Sequence, residues 1–347
     1  MEYRRLGRSD IMVSAVCLGT MTWGQQNTQD EGFEQMDYAL ERGVNFWDTA
    51  EMYSVPPREE TYGRTEEIIG AWFAERGKRE QVILATKAVG PGTRFPYIRG
   101  GNGERFSRAE LTEALEGSLR RLHTDYIDLY QLHWPARSTN TFGQLGYLHD
   151  PDESMESLAE TLAVLDDFVK AGKVRTVGLS NETPWGTMTF MALAEAGHGP
   201  RMVSVQNPYS LLNRSFEAGM AEVAIREDCG LLAYAPVAAG VLTGKYLDGA
   251  RPEGARLTLF PSNTRYTSPH AQEATARYVA LAREHGLEPV AMAHAFVYSR
   301  PFLTASIVGA TTTEQLATAI DAFGLTLTPD VLEGIEAIHA EHTYPCP

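Results

Sequence analysis

Eight short apolar runs recur along the chain, and more polar segments separate them. The runs are almost continuously hydrophobic rather than alternating, which is typical of parallel strands that are covered on both faces. We therefore predict eight buried parallel strands, at residues 15–24, 44–50, 82–87, 126–134, 174–181, 202–210, 231–237 and 305–311.

The segments between the runs carry the signals of amphipathic helices. One of them begins with Ser107 and Glu110, which form a capping box, and repeats leucine at helical spacing. Another ends at Gly172, a residue suited to a helix C-cap. The predicted helices cover residues 31–42, 64–76, 107–122, 154–173, 184–196, 213–228, 270–285 and 312–322.

Strand and helix alternate eight times, which predicts an α/β fold of the closed (β/α)8 TIM-barrel class. A doubly wound open sheet is the alternative, but no G-x-G-x-x-G motif follows the first strand. Residues 4–14 have turn residues between short extended pieces, and we expect an N-terminal hairpin there that closes the bottom of the barrel. Residues 328–340 predict one extra C-terminal helix. Because no linker or repeat divides the chain, we expect a single domain over residues 1–347.

Three loops are longer than a barrel needs, at residues 88–106, 135–153 and 238–269. Each follows a strand, so each is expected on the carboxyl face of the barrel, where barrel enzymes have their active sites. Loops of this length within a compact domain are usually functional. The sequence does not give the conformation of the first two, which we expect to set substrate selectivity.

Four polar residues fall at or just beyond the ends of three consecutive strands. Asp48, Lys87 and His133 end the second, third and fourth runs, and Tyr53 follows the second. Any one of them alone is compatible with a capping or structural role. Together they form a proton donor, because a lysine beside a phenol favours its anionic form and lowers its ordinary pKa of about 10. A carboxylate would fix the lysine, and a histidine would orient a substrate oxygen, as carbonyl reduction requires.

The later strands carry residues suited to a nicotinamide cofactor. Ser180, Asn181 and Gln206 end the fifth and sixth strands, where amide side chains can bond a carboxamide, and Tyr234 offers a flat face for a planar ring. Two groups of residues are suited to phosphates: the cations Lys245 and Arg256, and the small residues Gly309 and Thr311 at the start of the last barrel helix.

In these and neighbouring segments the chain resembles the aldo-keto reductases, over essentially its whole length. The resemblance rests on the segments "GVNFWDTAEMY", "LATK", "YIDLYQLHWP", "VGLSNETPWG", "VQNPYSLLNRSFE", "YAPVAAGVLTGKY" and "IVGATTTEQL". It implies reduction of aldehydes or ketones by NADPH without a metal, and a catalytic tetrad at Asp48, Tyr53, Lys87 and His133. The product pair is then an alcohol and NADP+, with the proton from Tyr53.

The resemblance also implies the cofactor-binding positions. They are Ser180, Asn181, Gln206, Tyr234, Ala235, Pro236, Val237, Ala238, Ala239, Gly240, Leu242, Lys245, Arg256, Gly309, Thr311 and Gln315. Many relatives have Glu and Asn three and four residues beyond the glutamine, where they grip the adenine. This chain has Thr318 and Ala319 there, so its adenine contacts depart from the pattern. The apolar candidates for the substrate pocket are Trp23, Met52, Trp134 and Tyr147.

Composition and charge limit the kinds of partner that the protein can bind. The net charge of −15 argues against nucleic acid or an anionic membrane as a partner, and no apolar run reaches the ~18 residues of a membrane span. Three widely spaced cysteines fit neither a disulfide framework nor a zinc cluster. We expect a cytoplasmic protein with a small carbonyl substrate, and the sequence leaves its oligomeric state open.

Two other functions remain compatible with the sequence. A metal-dependent barrel hydrolase would use carboxylate and imidazole ligands near the barrel mouth, namely Asp48, Glu51, His133, His149 and Asp150. Alternatively, potassium-channel β subunits share the expected architecture and tetrad, so the chain could be an NADPH-binding regulatory subunit with little turnover.

Overall fold

Eight parallel strands close into a barrel, as the hydrophobic pattern predicts. The computed structural model describes residues 1–92, 95–101, 106–153 and 157–347. Around the barrel the strand order is β10-β3-β4-β5-β6-β7-β8-β9, and β1 and β2 form a separate antiparallel hairpin. The strands are β1 Tyr3–Arg5, β2 Met12–Ser14, β3 Val16–Gly19, β4 Phe46–Asp48, β5 Ile83–Ala88, β6 Ile127–Leu132, β7 Val174–Ser180, β8 Met202–Pro208, β9 Gly230–Tyr234 and β10 Leu303–Gly309.

Helices cover the outside of the barrel. Several begin at hydroxyl N-caps, including the capping box of Ser107 and Glu110 that the sequence predicts. The helices are α1 Gln29–Glu41, α2 Arg64–Arg76, α3 Arg108–Arg121, α4 Leu158–Lys170, α5 Pro184–Glu195, α6 Met220–Arg226, α7 Arg256–Leu259, α8 Pro269–Glu284, α9 Pro289–Tyr298, α10 Thr313–Asp321 and α11 Pro329–Glu341.

The largest difference from the predicted elements lies between β9 and β10. The sequence pattern predicts one helix there, at 270–285, whereas the structure has the short α7, then α8 and then α9. Eight of the ten residues of α9 are buried, and a helix that is apolar on nearly all sides has no amphipathic period to detect. Helix α8 packs against both α11 and α9. At the start of α4, the predicted residues 154–156 lie outside the described part of the chain.

The interior of the barrel changes from apolar to polar along its axis. Side chains two residues apart in a strand share a face, so Phe46 and Asp48 both point inward, as do Ala85 and Lys87. The apolar layer at the bottom contains Phe46 and Ala85, and the hairpin covers it with buried apolar side chains. The inward side chains nearest the carboxyl ends of the strands are therefore polar, and the site lies there.

No helix among the described residues is long and apolar enough to cross a membrane.

Burial of His294 on α9 makes the stability of the fold depend on pH. Burial lowers the pKa of His294 to about 4, from an ordinary value near 6.5. The unfolded chain therefore takes up a proton below about pH 6.5, whereas the folded chain does so only near pH 4. The contribution of His294 to the free energy of unfolding is therefore highest above pH 6.5. It decreases as the pH falls from about 6.5 to about 4, by at most about 3 kcal/mol.

We predict that His294→Phe flattens this pH dependence of the free energy of unfolding. Urea denaturation at several pH values between 4 and 7 measures it, and the exposed His198→Phe serves as the control. An unchanged pH dependence in His294→Phe would show that His294 does not cause it.

Candidate active site

The four residues of the predicted tetrad meet at the carboxyl end of the barrel. Asp48 is the last residue of β4, Lys87 lies near the end of β5, and His133 directly follows β6. In the parallel ladder Asp48 is paired with Ala85, and Lys87 with Gln131. Adjacent strand ends thus bring residues that are far apart in sequence to one place.

The ammonium group of Lys87 is the centre of this group of residues. It is fully buried and donates three hydrogen bonds, to Asp48 Oδ2 at 2.7 Å, to the Thr49 carbonyl at 2.8 Å and to the Tyr53 hydroxyl at 3.3 Å. An ammonium has three protons to donate, so these bonds satisfy it completely. The position of the Tyr53 hydroxyl is fixed relative to a permanent positive charge.

Asp48 is held from two further strands. Its Oδ1 atom accepts from Gln206 Nε2 on β8 at 2.8 Å and from Gln131 Nε2 on β6 at 3.2 Å. Gln206 also donates to Gln131 Oε1 at 3.1 Å. Gln131 was absent from the predicted site, although a glutamine inside the apolar run "YIDLYQLHW" is the signal that could have identified it. These hydrogen bonds fix the orientation of the Asp48 carboxylate.

Burial and neighbouring charge set the pKa of three tetrad groups. Burial raises the pKa of Tyr53, while Lys87 acts in the opposite direction without reversing the shift. Burial alone would lower the pKa of Lys87, but Asp48 and Tyr53 raise it above its ordinary value. Burial and the charge of Lys87 hold the pKa of His133 well below 6.5. At neutral pH the site therefore has a protonated phenol, an ammonium and a neutral imidazole.

His133 and Tyr53 lie side by side. Their ring centroids are 5.8 Å apart in a T-shaped arrangement. The Nδ1 atom of His133 is buried and has no hydrogen-bond partner among the described residues. A buried ring nitrogen without a partner beside a phenol is free to bond an oxygen atom of a ligand.

A buried ion pair connects the loop that carries Tyr53 to the loop after β5. The carboxylate of Glu51 accepts from the guanidinium of Arg99, from the Val89 amide at 2.6 Å and from the Tyr62 hydroxyl at 3.3 Å. Burial raises the pKa of Glu51, and Arg99 opposes that shift. The sequence pattern identified Glu51 only as a possible metal ligand, and Arg99 was not assigned to the site.

The four residues expected at a nicotinamide ring lie beside the tetrad. Asn181 donates to the His133 carbonyl at 2.9 Å and to Ser180 Oγ at 3.1 Å. The Tyr234 hydroxyl donates to Asn181 Oδ1 at 2.7 Å. Gln206 reaches the tetrad directly through its bond to Asp48. Arg265, which no sequence signal identified, donates to the Tyr234 hydroxyl at 3.2 Å.

The segment after β9 folds into tight turns that its own backbone holds. Ala235, Ala238, Ala239 and Gly240 have positive φ values of 54°, 49°, 55° and 86°. The amides of Ala238 and Gly240 donate within the segment at 2.9 Å. The side chains of Ala238 and Leu242 are buried in the core, and Pro236 and Val237 are the central residues of the turn that joins the Ala235 carbonyl to the Ala238 amide.

Lys245 and Arg256 both lie in the connection between β9 and β10. Among the described residues, neither forms a salt bridge, although the chain has 45 acidic residues. Arg256 instead donates to Gln26 Oε1 at 2.9 Å, and burial lowers its pKa. Burial likewise lowers the pKa of Lys245. Arg256 is partly buried and Lys245 is exposed, and two cations without a carboxylate partner among the described residues are suited to an anionic ligand.

The start of α10 is the other predicted phosphate position. The Thr311 amide donates to Gln315 Oε1 at 3.0 Å, and Gly309 has open space where a side chain would lie. Beyond them, the Thr318 hydroxyl bonds back to the Glu314 carbonyl, and Ala319 is buried in the core. Neither residue therefore replaces the adenine-binding side chains that the family pattern would have there.

The structure places two of the four residues predicted for the substrate pocket outside the apolar cluster that contains Tyr53. Trp23 is fully buried in the core, and its indole N–H donates to Gln35 on α1, so it faces the helices. Tyr147 is 59% exposed and bonds His149 within its own loop at 3.1 Å. Met52 and Trp134, in contrast, pack in one apolar cluster with Tyr53.

Two aromatic side chains of the long loops complete that cluster. Trp134 lies 6.5 Å from the Phe95 ring and 5.8 Å from the Phe142 ring. The sequence pattern did not identify either partner, because loop conformation decides which aromatic side chains meet. The apolar wall beside Tyr53 is therefore built from both long loops.

The residues considered for a metal-dependent hydrolase do not converge. Asp48 is engaged by Lys87 and two glutamine amides, and Glu51 by the guanidinium of Arg99. His149 bonds Tyr147, and Asp150 accepts from the Asp152 amide, both in an exposed loop.

Comparison with known proteins gives the family. The chain matches the model of the Aldo/keto reductase family over residues 15–340. It is 50% identical to Protein tas of Escherichia coli (strain K12) over 348 aligned positions that cover 100% of both chains. The versiconal hemiacetal acetate reductase of Aspergillus parasiticus is 30% identical, with 97% of this chain and 96% of that protein covered.

A further relative is named for a different role. The probable voltage-gated potassium channel subunit beta of Oryza sativa subsp. japonica is 30% identical, with 97% of this chain and 96% of that protein covered. The family match nevertheless covers nearly the whole chain, and the motifs that carry the resemblance lie on the strands that meet at the barrel mouth. The chain therefore belongs to the aldo/keto reductase family of oxidoreductases.

Proposed function

We propose that this protein is a cytoplasmic reductase that converts aldehydes or ketones to alcohols with NADPH. The observation that carries the proposal is the contact between the Lys87 ammonium and the Tyr53 hydroxyl, 3.3 Å apart inside a buried site. No metal and no macromolecular partner is needed for this chemistry.

The residues present fit the cofactor. Lys245 and Arg256 are cations without carboxylate partners among the described residues, and Tyr234, Ser180, Asn181 and Gln206 gather beside the tetrad. We propose that the cations, together with Thr311, hold the phosphates and that the second group holds the nicotinamide. When bound, NADPH supplies the hydride to the carbonyl carbon.

Tyr53 would then donate its proton to the carbonyl oxygen as that oxygen becomes negative. Lys87 stabilises the phenolate that remains, because its positive charge lies within hydrogen-bond distance. Asp48 keeps Lys87 in place, and Gln131 and Gln206 keep Asp48 in place. His133, which is neutral, orients the substrate oxygen by donating a hydrogen bond from its protonated ring nitrogen. The cluster of Met52, Phe95, Trp134 and Phe142 would receive the apolar part of the substrate.

The similarity to the rice protein supports a second candidate function. A regulatory subunit that binds NADPH and turns over little substrate would have the same barrel and the same cofactor residues. Steady-state oxidation of NADPH with a panel of aldehydes and ketones separates the two functions, because a regulatory subunit would show little turnover with every substrate.

We predict that Tyr53→Phe lowers kcat by roughly 10²- to 10⁴-fold and leaves NADPH affinity unchanged. The substitution keeps the ring and removes only the hydroxyl that donates the proton. Stopped-flow turnover and fluorescence titration measure the two quantities. The control is Tyr147→Phe, which removes an exposed hydroxyl from the neighbouring loop. A folded Tyr53→Phe protein with the parent rate would overturn the proposed mechanism.

We predict that Arg256→Ala weakens NADPH binding by about tenfold or more and scarcely changes NADH binding. A guanidinium bonds a 2′-phosphate with two charge-assisted hydrogen bonds, and loss of such bonds costs about 1.5–3 kcal/mol. Titration of both cofactors measures the effect, with the exposed Arg251→Ala of the same connection as the control. Equal losses for NADPH and NADH would exclude Arg256 from the 2′-phosphate site.

We predict that Arg99→Met destabilises the fold by about 3–5 kcal/mol, since it leaves the Glu51 carboxylate buried without its cation. The double variant Arg99→Met, Glu51→Gln should recover part of that loss, because a buried neutral amide costs less than an unpaired charge. Chemical denaturation of both proteins gives the comparison. If the double variant is no more stable than the single one, the ion pair does not account for the loss.

A further inference from the structure

A second group of chemically competent side chains lies on the outer helices, in elements distinct from those of the tetrad. His270, Glu273 and His342 each offer one ligand atom, and these atoms all lie within 4.8 Å of one another. His270 lies in the first turn of α8 and Glu273 follows it by three residues, so the two share one face of that helix. His342 directly follows α11.

The two helices hold these ligand atoms in a fixed relation. Helix α11 crosses α8 closely at Gly334, where an added Cβ atom would lie 2.6 Å from Leu281 Cδ1. One turn after Glu273, Arg277 on α8 forms a bidentate ion pair with Glu341, the last residue of α11, with Nη2 and Oε1 3.0 Å apart. The approach of His342 to His270 and Glu273 is therefore built into the packing of the helices.

Hydrogen bonding among the described residues does not account for the convergence of the three side chains. None of their side-chain atoms forms a hydrogen bond or a salt bridge to another described residue. Two imidazoles and a carboxylate are a common ligand set for zinc, which binds such atoms at about 2.0–2.2 Å. Ligand atoms around one zinc ion are then roughly 3.3–3.5 Å apart, a spacing that small rotations of exposed side chains would reach.

We propose that His270, Glu273 and His342 form a binding site for one divalent transition-metal ion of the Zn²⁺ class. The partial positive charge at the start of α8 weakens cation binding. The carboxylate of Glu273 and the net charge of −15 favour cation binding and so oppose this effect. His270 and Glu273 are exposed and His342 is partly exposed, so water can take the remaining coordination positions. The affinity is therefore moderate rather than that of a buried structural zinc.

Such an ion would fasten the segment after α11 to α8. Two hydrogen bonds already attach this segment: Ser268 Oγ, the N-cap of α8, donates to the Pro345 carbonyl at 2.9 Å, and Arg265 Nε donates to Pro347 O at 2.9 Å. Arg265 also contacts the Tyr234 hydroxyl. Metal binding therefore adds a third attachment to a segment that reaches the edge of the candidate active site.

Isothermal titration of Zn²⁺ into the EDTA-treated full chain tests the proposal. We expect one ion bound per chain, at least tenfold weaker binding in His270→Ala, His342→Ala and Glu273→Gln, and unchanged binding in His285→Ala at the exposed far end of α8. Mg²⁺ serves as the control ion. It is a hard cation that prefers oxygen ligands, so it should bind as well as Zn²⁺ only if binding reflects general attraction to an acidic surface.

Hydrogen exchange of residues 342–347 gives a readout that does not depend on activity. Zn²⁺ should slow exchange in this segment in the parent protein and in His285→Ala, but not in His342→Ala. Equal Zn²⁺ binding in all variants, binding of Mg²⁺ as tight as that of Zn²⁺, or exchange that Zn²⁺ does not change would each overturn the proposal.

Discussion

The buried ion pair between Lys87 and Asp48 is the interaction on which the polar end of the barrel depends. Taking an ammonium and a carboxylate out of water costs several kcal/mol for each ion, and their attraction offsets this only when the remaining donors and acceptors are also satisfied. Lys87 uses its other two protons on the Thr49 carbonyl and the Tyr53 hydroxyl. Asp48 uses its second oxygen on Gln131 and Gln206. The partners of this one buried pair thus come from the loop after β4, from β6 and from β8.

The need to satisfy this buried ion pair also accounts for the separation of the barrel interior into an apolar end and a polar end. The apolar layer around Phe46 and Ala85 is closed by the hairpin, so water does not reach the ion pair from below. Tyr53 reaches it from above, on a loop held by Glu51 and Arg99. The Tyr53 hydroxyl accepts the third hydrogen bond of the lysine, which fixes the phenol relative to the ammonium.

The strands, the barrel and the tetrad could be predicted from the sequence because each rests on a local signal. A short, continuous apolar run between turn residues is typical of a buried strand, and a lysine at the end of "VILATK" demands a partner wherever the strand lies. Helix α9 was not predicted, because a helix that is buried on nearly all sides has no alternation of apolar and polar residues at helical spacing. The prediction that Trp23 faces the pocket assumed that the strand continues to this residue. In the structure β3 ends at Gly19, so the alternation of side chains along the strand no longer applies to Trp23. Phe95, Phe142 and Arg265 depend on loop conformation, which is set by contacts between segments that are distant in sequence.

The direction of the Tyr53 pKa shift changes how the proposed proton donor works. A lysine beside a phenol leads one to expect a lowered pKa, yet burial outweighs Lys87 and the pKa rises. A raised value keeps the proton on Tyr53 throughout the physiological pH range, so the group is always in the form that a general acid needs. The contribution of Lys87 then comes during the reaction, when negative charge passes from the substrate oxygen to the phenol and the ammonium is already in position to receive it. Because Asp48 and the backbone have oriented that ammonium beforehand, no reorganisation is required at the moment of proton transfer.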